Sequence, residues 1–102
     1  MLRIQVVGTS AAQTEVQLAG ALDVAGSEVL LAKLDRLIGA GRHHLVVDVS
    51  GVTFCDSSGI SALVRGRARA VEMTGSLRLV SPSPAVRHVL EISGLARMFE
   101  RA

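Results

Sequence analysis

Hydrophobic and polar residues alternate at the start of the chain. Leu2, Ile4 and Val6 are set against Arg3 and Gln5, and after a Gly-Thr-Ser turn region Val16 and Leu18 are set against Glu15, Gln17 and Ala19. A two-residue period belongs to half-buried strands, so these segments predict an antiparallel pair whose second member ends at Gly20. The period then lengthens to that of a helix. Leu30, Leu34, Leu37 and Ile38 form one stripe with Lys33, Asp35 and Arg36 on the other side; Asp23 is a candidate N-cap, and Gly39 and Gly41 stop the helix.

The run Leu45-Val46-Val47-Asp48-Val49 fits a strand buried on both faces, leading through a short loop into Asp56-Ser57-Ser58-Gly59, residues suited to starting a helix. Ile60, Leu63, Val64, Ala68 and Val71 then recur at helical spacing, with Arg65, Arg67 and Arg69 mostly on the exposed side and Gly75 closing the element. Ser76 to Ser81, with Leu77 and Val80, reads as a further strand. Ser83-Pro84 starts a third helix that buries Val86, Val89 and Leu90 and ends at Gly94; Leu95, Met98 and Phe99 return to the core as a short strand or turn. This order predicts an α/β fold, one domain over 1–102, with a mixed, mostly parallel sheet of four to five strands and right-handed crossovers.

Composition narrows the function. Hydrophobic residues make up 49% of the 102, and Phe54 and Phe99 are the only aromatics, so the core is built from Val, Leu, Ile and Ala. A net charge of +2, without Tyr or Trp, gives no support for direct nucleic-acid binding. Cys55 is the sole cysteine and has no internal disulfide partner. No signal-peptide block or membrane-length apolar run is visible, which makes a cytoplasmic location the default expectation.

The candidate chemistry lies at Asp56-Ser57-Ser58-Gly59. Hydroxyls at a helix mouth meet orphaned backbone N–H groups and the positive end of the helix dipole, a place suited to a phosphate. At about 100° per residue, Ser57 falls near the Ile60 and Val64 meridian while Ser58 turns toward solvent, so geometry leaves the acceptor open. Cys55-x-x-Ser58 at a strand-to-helix junction also allows monothiol redox chemistry, against the plainer role of a small core residue. Ser57 lacks a Gly-x-Ser-x-Gly elbow, and His43, His44 and His88 nominate no base, so no catalytic residue is assigned. His43-His44 reads as a strand edge, and neither metal nor cofactor is expected.

The run Val52-Thr53-Phe54-Cys55-Asp56-Ser57-Ser58-Gly59-Ile60 resembles the signature of the STAS domain, in particular that of the small bacterial anti-sigma factor antagonists. Leu18-Ala19-Gly20-Ala21-Leu22-Asp23 resembles that family's turn before its first helix. Ser83-Pro84-Ala85-Val86 with Ile92-Ser93-Gly94-Leu95 resembles its third helix and exit. The likeness runs in order along nearly the whole chain. It implies a STAS-type fold and a partner-switching role in transcription, of the kind used in stress response and sporulation. The unphosphorylated antagonist binds an anti-sigma factor that is also a serine/threonine kinase, releasing a sigma factor; the kinase phosphorylates the serine after the Asp, and a PP2C-type phosphatase reverses this. Carried over by position, Ser57 is the phosphoacceptor, with Ser58 second, and Asp23, Asp56, Ser57, Ser58 and Gly59 belong to the partner-binding face of a monomer or weak dimer. The alternative within the family is an accessory subunit of a lipid-transport ATPase or a part of a stress-signalling assembly.

Overall fold

In the computed structural model, which describes residues 1–100, the alternating N-terminal segments form β1 (Arg3–Thr9) and β2 (Thr14–Leu22). They are followed by α1 (Val24–Gly39), β3 (His44–Cys55), α2 (Ser57–Glu72), β4 (Ser76–Val80), α3 (Pro84–Ser93) and α4 (Ala96–Glu100). The four strands make one sheet in the order β1-β2-β3-β4. β1 pairs antiparallel with β2, and the β2–β3 and β3–β4 pairs are parallel. Parallel strands added in one direction through right-handed crossovers put their helices on the same face. Accordingly α1 and α2 pack against each other.

That face holds the core: Val16, Leu18 and Leu22 of β2, Leu45, Val47, Val49 and Val52 of β3, and Leu77 of β4, covered by the buried stripes of the helices. The opposite face is open. β3 shows this, because Val46 is buried but Asp48 is half-buried and Ser50 exposed, so the strand expected to be covered on both sides is covered on one.

Four further expectations are corrected. β2 does not end at Gly20 but continues to Leu22, and the expected loop after Val49 is strand to Cys55. Register shifts between Gln17 and Ala19 and between Gly20 and Ala21 let the two strands stay paired to their ends. Polar and glycine residues at 50, 51 and 53 break the hydrophobic pattern without ending the strand. In α2 the buried residues are Gly59, Ile60, Ala62, Leu63, Gly66 and Ala70, whereas Ala68 and Val71 are exposed and Val64 is half-buried. Small residues, which carry little weight in a hydrophobic pattern, form the stripe because α1 lies close. The segment after Gly94 is α4, not a strand or turn, and it delivers Phe99 to the core.

The third arginine of α2 is also more than a solvated charge. Arg69 pairs with Asp35 of α1 at 2.8 Å. Both side chains keep contact with water, so the pair is worth a few tenths of a kcal/mol to about 1.

Two substitutions on α2 test this orientation. Leu63→Ala removes a side chain with no exposed surface and is expected to cost about 3 kcal/mol in urea unfolding. Val71→Ala is expected to stay within about 0.5 kcal/mol of the parent; a large loss there would place the helix differently.

Candidate functional site

The parallel register of β2 and β3 brings Leu22 opposite Cys55. One residue later each strand turns into a helix, so Asp23 and Asp56 emerge side by side as the N-caps of α1 and α2. The Asp56 N–H donates back to the Leu22 carbonyl at 3.5 Å, tying the two exits together. Asp23 Oδ1 accepts from the Gly26 N–H at 2.8 Å. Asp56 Oδ1 accepts from the N–H groups of Ser58 at 3.0 Å and Gly59 at 3.3 Å. Each helix has glycine at its third position for a steric reason. A Cβ on Gly26 would stand 2.5 Å from the Ala21 carbonyl oxygen, and one on Gly59 would stand 2.6 Å from Leu22 Cγ.

Among the expected site residues, Asp23 and Asp56 are half-buried, Ser57 is exposed, Ser58 is half-buried and Gly59 is buried. The Ser58 hydroxyl donates to Asp56 Oδ1 and lies 3.4 Å from Ser27 Oγ. The Ser27 hydroxyl in turn donates to the Asp23 carbonyl at 2.5 Å. The helical wheel therefore has the two serines reversed. At the first turn no earlier turn covers Ser57, and the Cα–Cβ bond tilts toward the open end of the helix. Ser58 is drawn inward by the carboxylate of Asp56. The same carboxylate takes N–H groups that the sequence left waiting for an anion.

The Ser58 hydroxyl is the main cause that holds the Asp56 carboxyl below its ordinary range, opposed by some desolvation and helped by the Gly59 and Ser58 amides. Asp56 is thus an anion at neutral pH. Burial first, and the Asp56 charge second, push the Cys55 thiol up to about 11. That overturns the Cys55-x-x-Ser58 redox reading, which needs a thiol acidified toward neutrality; Cys55 packs against the core instead. His44 opens β3 and His43 directly precedes it, at the far end from Ser57, where His44 Nδ1 is 3.0 Å from Ser76 Oγ.

Two apolar residues at this end were missed by the sequence reading. Val24 opens α1 as Ser57 opens α2 and is 61% exposed, and Phe54, two residues before the Asp56 cap, is 51% exposed. The signal that could have found Val24 is the repeat of Asp-x-x-Gly at Asp23 to Gly26 and Asp56 to Gly59, which marks matching helix mouths. Phe54 carried no signal, because a lone aromatic in an expected loop marks neither core nor surface.

A family model described as Mlab, STAS domain matches residues 6–100. A curated protein of Lysinibacillus sphaericus, an anti-sigma F factor antagonist, is 38% identical over 82 residues, spanning 78% of this chain and 69% of that protein. The solved structure of SpoIIAA, an anti-sigma factor antagonist, in its unphosphorylated form is 26% identical with a TM-score of 0.81, covering 93% of this chain and 84% of that one. SpoIIAA of Bacillus in its phosphorylated form is 26% identical with a TM-score of 0.74, covering 93% and 86%.

The Asp56 cap has a pH signature. Its lowered value means that the folded protein takes up that proton less readily than the unfolded chain, so its contribution is complete above the ordinary carboxylate range and is lost as the pH falls below it. Asp56→Asn, which still caps, is expected to stay within about 1 kcal/mol at neutral pH and to flatten the acid limb of the stability profile. Alkylation of Cys55 by iodoacetamide is expected to keep accelerating from pH 7 to 9 without a plateau. A plateau near neutrality would restore an activated thiol.

Proposed function

The chain belongs to the STAS domain family of anti-sigma factor antagonists, regulatory binding proteins rather than enzymes, and from that premise we propose that it binds an anti-sigma factor serine/threonine kinase when Ser57 is unphosphorylated. Binding frees a sigma factor in the cytoplasm. Phosphorylation of Ser57 by the bound kinase ends it, and a PP2C-type phosphatase restores it. The observation that carries this proposal is the exposed Ser57 hydroxyl at a mouth flanked by two aspartate caps. Ser58 is the weaker candidate because its hydroxyl is half-buried and already engaged by Asp56. That SpoIIAA exists in phosphorylated and unphosphorylated forms supports a switch of this kind.

The electrostatics give the switch its size. A phosphate on Ser57 brings nearly two negative charges beside the ionised Asp56. In the free protein water screens them, whereas docking strips the water away. For unit charges about 4 Å apart, going from bulk water to an effective dielectric of about 20 raises the repulsion by about 3 kcal/mol, more than a hundredfold in affinity. Val24 and Phe54 make the penalty larger, since an apolar surround cannot replace the lost hydration of an anion. Asp23 and Asp56 complete the docking face, and Gly59 serves it by letting α2 approach Leu22.

A second reading makes the domain an accessory subunit of a lipid-transport ATPase, and the family model's description as Mlab, not as an antagonist, favours keeping it in view. Incubation with candidate anti-sigma kinases and ATP, followed by mass spectrometry, separates the two. A single phosphate on Ser57 is expected. Modification of Ser58 would overturn the residue assignment, and no modification by any such kinase would favour the accessory subunit. In a binding assay, Ser57→Asp is expected to lose at least about a hundredfold in affinity with a melting temperature within a few degrees of the parent, whereas Ser57→Ala keeps binding.

A further inference from the structure

We propose that Ser58 is a positioning residue for the Ser57 switch: its hydroxyl fixes the Asp56 carboxylate, and with Ser27 it sets the two aspartate-capped helix mouths in one docking geometry. This rests on the antagonist reading given above and assigns Ser58 a task other than accepting phosphate. Asp56 Oδ1 receives three donors, the Ser58 and Gly59 amides and the Ser58 hydroxyl. A plain N-cap needs only the amides. The added hydroxyl reduces the remaining freedom of the carboxylate, because a charge-assisted bond of this kind is shorter and stronger than a neutral one.

Ser27 closes the arrangement from the other helix. It is one of three buried polar or charged residues among those described, at 7% exposure. Its hydroxyl donates to the carbonyl of Asp23 at 2.5 Å, with Ser58 Oγ, 3.4 Å away, as a weaker second acceptor. Ser27 therefore touches the cap residue of its own helix and the serine that orients the other cap. Because Ser57 stands between Asp56 and Ser58 in the chain, a carboxylate and a hydroxyl locked to each other also hold the backbone of Ser57 in a single orientation.

Ser58→Ala, Ser58→Thr and Ser27→Ala test the assignment, read by two independent measurements. Carbon-detected NMR titration of the Asp56 carboxyl needs no partner. Ser58→Ala is expected to move it up toward the ordinary carboxylate range, and Ser58→Thr to keep it low. Affinity for the anti-sigma kinase, measured well below the melting temperature, is expected to fall severalfold in Ser58→Ala, where docking must order a carboxylate that the hydroxyl no longer holds, to recover in Ser58→Thr, and to fall by a smaller factor in Ser27→Ala. In the unmodified protein the Ser58 hydroxyl proton is expected to exchange slowly with water, a readout that does not depend on any variant folding. An Asp56 titration unmoved by Ser58→Ala, or a rapidly exchanging Ser58 hydroxyl, would overturn the proposal. So would unchanged affinity in Ser58→Ala, which is what a purely stabilising cap predicts. If the wild-type protein bound no anti-sigma kinase, the antagonist reading would fail by itself, and the titration would still decide the tie between Ser58 and Asp56.

Discussion

The structure depends on the pairing of β2 with β3 up to their last residues. Parallel strands that end level with each other send their chains out of the sheet at the same height, and here Leu22 and Cys55 are those ends. Whatever follows is forced into proximity, so two aspartates separated by more than thirty residues become neighbouring helix caps. The close approach of the helices to the strand ends then excludes side chains at Gly26 and Gly59. A shift of register would move one mouth past the other and leave Ser57 on an isolated helix end, without the second cap beside it.

At the mouths, electrostatics and packing act in the same direction. An aspartate at an N-cap satisfies amides that would otherwise be exposed without partners, and its charge is favoured by the helix dipole. The Ser58 hydroxyl strengthens both effects at Asp56. The charge that stabilises α2 is thus also the charge beside Ser57, so the device that makes a phosphate costly inside an interface belongs to the fold and is always present. Cys55 feels the opposite effect. Burial and the neighbouring anion keep its thiol protonated, which is the condition of a core residue.

Much of this was legible in the chain. The order of elements followed from the two periods in the hydrophobic pattern, the caps at Asp23 and Ser83 from the residues that precede the helices, and the stop at Gly94 from a glycine that takes a left-handed conformation, φ 73°. The mixed sheet followed from strands alternating with helices. What could not be read locally was the reach of β3 through Ser50, Gly51 and Thr53, because pairing to β2 of Gly51 and of the residues around Ser50 and Thr53 carries the strand past the two register shifts, while hydrophobicity does not mark them. The small-residue stripe of α2 was hidden for the same reason, since Gly66 and Ala70 are buried by the closeness of a neighbour.

The sequence by itself determined which residues can begin and end helices, which segments must bury a face, and that a hydroxyl follows an aspartate at a helix start. These are local properties, set by backbone geometry, side-chain length and the spacing of apolar groups. Tertiary structure alone decided that Val24 and Phe54 flank the site as exposed apolar residues, and that Ser27 meets Ser58. Each of those outcomes depends on where a second segment lies, and the period of one helix or strand carries no information about the position of another.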